Sequence, residues 1–148
     1  DIANTDAMDN LFEDAPMKNV ISASHSYGLN RRTGIEQLPA LVISATDGCF
    51  GYLRSPMAFE RLFLETMERS ESMEQWKNEI DQVLKKISGD DYTMCVYAAG
   101  FGSFHAMRYY FSDRLQEVKQ KYSFDSVEKE ILLSEWKDEN NKWIYHRG

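Results

Sequence analysis

Ala40-Leu41-Val42-Ile43-Ser44-Ala45-Thr46-Asp47-Gly48 carries a short apolar run, β-branched at its centre, into an Asp-Gly turn. Later, Gly89-Asp90-Asp91-Tyr92-Thr93 reverses the order, an acidic turn opening the apolar run Met94-Cys95-Val96-Tyr97-Ala98. Short runs of this kind, bounded by turn residues, predict two strands, Ala40 to Thr46 and Thr93 to Ala98. One aspartate closes its strand and the other precedes its strand. If the strands are neighbours, the carboxylates converge only when the pairing is antiparallel.

Two amphipathic helices are expected between the strands. Ser55-Pro56 is a helix start, with Ser as N-cap and Pro in the first position. Met57, Leu62, Phe63 and Met67 then share a face. Ser72 with Gln75 three residues on forms a capping box. Met73, Trp76, Ile80, Val83, Leu84 and Ile87 recur at helical spacing behind it, and Gly89 stops the helix. After the second strand, Gly100-Phe101-Gly102 reads as a hinge or turn. Ser103 caps a third helix with the stripe Phe104, Met107, Phe111, Leu115 and Val118. A charged segment from Ser126 to about Tyr145 reads as a last helix, with contacts at Val127, Ile131, Leu132, Trp136 and Trp143. Upstream, Val20 to Ser24 reads as a short strand, and Tyr27 to Gly34 as a turn containing Arg31 and Arg32. A strand, two helices, a strand and a helical tail suit an α+β layering in which helices cover a sheet face.

The chain has 148 residues, 43% hydrophobic and 13% aromatic, enough for one domain with a real core. A net charge of -7 argues against nucleic acid and anionic membrane as partners. No apolar stretch approaches the roughly 20 residues that a membrane span needs. No signal-peptide pattern opens the chain, and Cys49 and Cys95 sit in or beside strand-like text, so buried, reduced thiols and a cytoplasmic location are expected. The start at Asp1 rather than Met leads us to expect a piece of a longer protein.

Carboxylates at strand ends suit a hard divalent cation, because Mg²⁺ and Mn²⁺ prefer oxygen ligands. Asp47 and Asp90 are the candidate ligands, with Asp91 as a further ligand or a neighbour of the site. The competing readings are a turn residue after a strand for Asp47 and a helix-stop residue for Asp90. Arg31 and Arg32 are candidates for phosphate, since guanidinium forks match phosphate oxygens; a solvated turn is the competing reading. His25 and His105 read as packing or surface residues.

The two strings, Leu41-Val42-Ile43-Ser44-Ala45-Thr46-Asp47-Gly48 and Ser88-Gly89-Asp90-Asp91-Tyr92-Thr93-Met94-Cys95-Val96, resemble the C-terminal half of the metal-dependent protein phosphatases of the protein phosphatase 2C type. The likeness spans roughly Val20 to Ala98. Asp47 stands at the aspartate of the family's "SDG" string and Asp90 at that of its "DN" string. Asp91 stands where the family usually has Asn. The resemblance implies part of an α-β-β-α sandwich with antiparallel sheets over residues 1–102, followed by a helical tail or extension, 103–148. It implies hydrolysis of phosphoserine or phosphothreonine proteins at a two-metal Mg²⁺ or Mn²⁺ site, with a role in signalling. No "DGHGG"-like string, and none of the family's basic phosphate-binding residue, is found here. The metal site is therefore expected to be completed by the N-terminal remainder of the domain, with this chain inactive alone. The alternative is a non-catalytic, phosphatase-like interaction or regulatory domain.

Overall fold

The computed structural model describes residues 35, 37–53, 55–122, 130–135 and 137–138. The chain divides into two compact units, Asp1–Gln37 and Leu38–Gly148, and the elements below belong to the second. The expected strand at Val20 to Ser24, the turn with Arg31 and Arg32, and His25, Val127, Trp136 and Trp143 lie outside the described residues.

Two strands, β1 (Ala40–Ala45) and β2 (Met94–Ala99), pair antiparallel with Ala45 opposite Met94 and Ala40 opposite Ala99. The alternation of side chains splits them cleanly between two faces. Leu41, Ile43, Ala45, Met94, Val96 and Ala98 pack against the core. Val42, Ser44, Cys95 and Tyr97 face outward. Cys95 is therefore exposed, not buried as expected, because strand parity places it opposite Ser44 on the outer face. Cys49 is buried, and both thiols are free. Thr46 and Thr93, expected within the strands, lie one step beyond. There Thr46 N–H donates to Thr93 O at 3.0 Å, and Thr93 N–H donates to the Thr46 hydroxyl at 2.9 Å, so a side chain replaces the next carbonyl of the ladder.

The helices begin where the caps predict. Ser55 Oγ accepts from Ala58 N ahead of α1 (Pro56–Glu68), and Ser72 Oγ accepts from Gln75 N ahead of α2 (Met73–Ile87). The Gln75 side chain reaches back to accept from the Glu71 N–H at 3.0 Å, one residue beyond the box position at Ser72. Ser103 Oγ caps α3 (Phe104–Tyr110) in the same way. The single helix expected to carry the stripe from Phe104 to Val118 is broken at Phe111, where ψ is 1°, and resumes as α4 (Ser112–Lys121) without a side-chain cap. The Ser112 hydroxyl donates to Tyr109 O at 2.7 Å at this break. Ser and Thr hydroxyls that bond back to a helix carbonyl commonly bend the helix.

A two-stranded sheet is marginal alone and needs a packed layer. Here Phe63, Leu62 and Met67 of α1, Trp76, Ile80 and Leu84 of α2, Met107 of α3 and Cys49 supply it. Met73, expected in the α2 stripe, is instead 45% exposed at the first turn. Helix α1 has a second apolar side: Met57 and Leu64 pack with Leu115, Val118 and Tyr122. Met57 thus leaves the face it was expected to share with Leu62 and Phe63. An Arg114–Glu60 fork, at 2.6 and 2.8 Å, ties α4 to α1 beside this cluster. The segment from Ser103, expected as a tail or extension, supplies α3 and α4 to the same unit. Residues 130–135 are helical, with Leu132 buried.

Polar groups stitch α1 to α2. The Trp76 indole N–H lies 3.1 Å from both Phe63 O and the Thr66 hydroxyl, and Thr66 itself donates to Leu62 O at 2.7 Å. All these groups are buried, where an unmade hydrogen bond is costly.

Candidate functional site

The antiparallel register places both acidic strings at one end of the sheet. Asp47 follows Ala45 by two residues and opens a 3-10 turn, Asp47–Cys49. Asp90 and Asp91 lie in the loop that enters β2 at the residue opposite Ala45. All three aspartates are exposed. Each outer aspartate is oriented by its neighbour: Gly48 N–H donates to Asp47 Oδ1 at 3.0 Å, and Asp91 N–H donates to Asp90 Oδ1 at 2.8 Å.

The two loops are bound together. The Ser88 hydroxyl lies 2.8 Å from Gly48 O and 2.9 Å from Asp90 O, while Asp90 N–H donates to it at 3.3 Å. The Cys49 thiol lies 3.4 Å from Thr93 O. Gly48 is buried and packed so closely that a Cβ on it would sit 2.3 Å from the Asp91 carbonyl oxygen. Only glycine permits that approach of the two backbones.

Behind the loop, the Tyr92 hydroxyl donates to Asp81 Oδ1 at 2.8 Å, and Lys85 meets Asp81 Oδ2 at 2.6 Å. The Lys85 ammonium, followed by the Tyr92 hydroxyl, holds the Asp81 carboxyl below its usual range. Burial, with the Asp81 carboxylate as a second cause, pushes the Tyr92 phenol up. This bridge fastens the Asp90 loop to α2.

Ser88, Gly48, Thr46 and Thr93 escape a reading that looks for ligands. Ser88 stands in the second string, but a serine after a helix has many uses and its partner Gly48 is remote in sequence. His105 is exposed and accepts from Arg108 Nη2 at 3.1 Å, a surface role as expected. Arg31 and Arg32 are outside the described residues.

The exposed carboxylates at this end of the sheet, Asp47, Asp90 and Asp91, are oxygen donors, a chemistry that fits Mg²⁺ or Mn²⁺, while the one thiol there, Cys49, is buried. Among the described residues, no three His, Cys, Asp or Glu side chains are grouped to share one ion. Mg²⁺ commonly keeps several waters and binds through one or two carboxylates, so this donor set is compatible with it without a protein cage. Among the described residues no helix is long and apolar enough to cross a membrane. No family model, curated protein or solved structure matches the chain.

Proposed function

We propose that this chain carries the C-terminal part of a metal-dependent phosphoprotein phosphatase of the protein phosphatase 2C type, acting in the cytoplasm on phosphoserine or phosphothreonine proteins. The observation that supports it is the β1–β2 register, which delivers Asp47 and the Asp90-Asp91 pair to one end of the sheet. In the intact site Asp47 and Asp90 would hold Mg²⁺ or Mn²⁺ from this side, and the chemistry the ions would supply is activation of water and neutralisation of phosphoryl charge. Asp91 N–H fixes the Asp90 carboxylate. Asp91 adds a negative charge to the loop, and Arg31 and Arg32 are candidates for the substrate phosphate.

The outer sheet face supports a second layer. Val42 and Tyr97 on it are 54% and 66% exposed. In an α-β-β-α sandwich that face receives the other sheet, here from the N-terminal remainder of the domain. The same face favours a second reading, a phosphatase-like domain that uses it to bind a regulatory partner.

Mn²⁺ titration of the ¹⁵N-labelled chain tests the site. Broadening should concentrate on amides near Gly48, Asp90 and Asp91, and Asp47→Asn and Asp90→Asn should each remove it. Broadening spread evenly over surface acids refutes the site. The chain alone should not turn over a phosphopeptide. A longer protein that encodes an Asp-Gly-His-Gly-like loop upstream should do so with Mn²⁺, and lose most of that activity in both variants. Undiminished hydrolysis in both leaves the partner-binding reading in front.

A further inference from the structure

Helices α3 and α4 diverge at Phe111, and a cavity of about 390 Å³ lies where they do. Met107 of α3 joins the cluster that packs on the sheet, while Leu115 and Val118 of α4 join Met57 and Leu64 of α1. Leu64, Met67, Phe111 and Leu115 form the apolar lining of the gap between the two clusters. Its polar lining includes Glu68, His105 and Arg108. The Arg108 guanidinium is already fixed in place. Its Nη1 donates to Ser70 O at 2.7 Å and to Glu71 Oε1 at 2.8 Å, and its Nη2 donates to His105 Nδ1 at 3.1 Å. A guanidinium carries five N–H donors. Among the described residues these contacts engage three of them, which leaves the Nε–H and one Nη2 hydrogen for a further acceptor. The Arg108 side chain is only 23% exposed. Glu71 answers its charge, and Glu68 meets Lys119 at 3.2 Å, so the charges around the cavity balance.

We propose that this cavity binds a small aromatic carboxylate, with its ring against Leu64, Met67, Phe111 and Leu115 and its carboxylate on the two remaining donors of Arg108. The site shares no residue with the acidic end of the sheet, so it stands apart from the phosphatase reading. Apolar cavities with a few placed polar groups are the usual form of a small-molecule site. A cavity of roughly 150 Å³ takes benzene, so this one admits about fifteen heavy atoms. The Met67 sulfur and the Phe111 ring favour an aromatic body over an alkyl chain. Arg108 selects the head group, because two neighbouring N–H donors of a guanidinium match the two oxygens of a carboxylate. Ser70 O, at the end of α1, holds the guanidinium in advance, so binding costs little further ordering of that side chain.

The test titrates the ¹⁵N-labelled 148-residue chain with 2-naphthoate and, separately, with 2-naphthalenemethanol, which has the same rings and no charge. 2-Naphthoate should give saturable shifts concentrated on the amides of Leu64, Met67, Phe111 and Leu115. The alcohol should bind at the same amides at least about tenfold more weakly, since it lacks the charged hydrogen bonds to Arg108. Arg108→Gln should bring the two probes to equal affinity. A guanidinium that serves only to tie α3 to α1 would lower the melting temperature of that variant and leave the preference for the acid in place, which overturns the role of Arg108. Should Arg108→Gln fold poorly, Ser112→Trp adds bulk at an exposed position of the cavity lining, keeps Arg108, and should weaken both probes. Equal binding of acid and alcohol by the wild type overturns the carboxylate assignment. No saturable shift with 2-naphthoate, or shifts away from α1, α3 and α4, overturns the site.

Discussion

Gly48→Ala separates a turn glycine from a packing glycine. The backbone at Gly48 does not require the left-handed region, since Gly100, with φ 78°, is the one glycine of positive φ among the described residues. On backbone entropy alone, alanine would stabilise such a site by about 0.4–1 kcal/mol through the unfolded state. The contacts oppose this. The new Cβ would lie 2.3 Å from Asp91 O, 3.0 Å from Asp91 C and 3.2 Å from Tyr92 Cβ. Two of those atoms are backbone, held by the Thr46–Thr93 bonds, so no side-chain rotation relieves the overlap. Forcing a methyl into a packed site costs about 1–3 kcal/mol, which outweighs the entropic gain. For a chain of this size the net loss lowers the melting temperature by roughly 2–10 °C. Gly102→Ala is the internal control, because nothing lies within 4 Å of a Cβ there. Thermal melts followed by far-UV circular dichroism in chelator would measure both. A Gly48→Ala protein that melts at or above wild type would refute the close approach of the two loops.

Trp76→Phe should destabilise by about 1–3 kcal/mol, combining a cavity with loss of the indole bonds to Phe63 O and Thr66 Oγ1; urea unfolding with an unchanged midpoint would contradict the buried seam. The Asp81 bridge predicts a pH dependence. Its folded pKa is depressed, chiefly by Lys85, so its contribution is present above the unfolded value of about 4 and lost as pH falls through the folded value. Asp81→Asn should therefore flatten the acid limb of stability against pH between roughly pH 5 and 2, and parallel curves for the two proteins would remove the bridge. Tyr92 has the opposite sign: its raised pKa contributes below about pH 10 and is lost as pH climbs through the folded value, so Tyr92→Phe should flatten the alkaline limb.

Much of the secondary structure is legible locally. Ser55, Ser72 and Ser103 each satisfy an N–H of the helix they open. The stripes Leu62, Phe63, Met67 and Trp76, Ile80, Leu84 are buried as their spacing predicts. These features depend on residues within a turn or two of one another, and short-range periodicity records them. The exposure of Cys95 follows from strand parity once a neighbour occupies one face, but the apolar run Met94 to Ala98 does not say which face that is.

Non-local choices needed the fold. Asp47 and Asp90 are read from the sequence as strand-end carboxylates; their arrival at one end of a sheet depended on the antiparallel pairing of β1 with β2. Met57 and Leu62 lie on one predicted face of α1, yet they join different clusters, because α1 is packed on two sides and α4 claims Met57. Phe111 interrupts a stripe that periodicity alone would continue. Ser88 acquires its remote partner, Gly48 O, only when the first acidic loop is brought to the end of α2. A sequence determines caps and faces because those bonds close within a few residues. Which strand meets which, and which hydroxyl lies between two loops, is decided by the burial of the whole apolar surface, and that decision exists only in the packed chain.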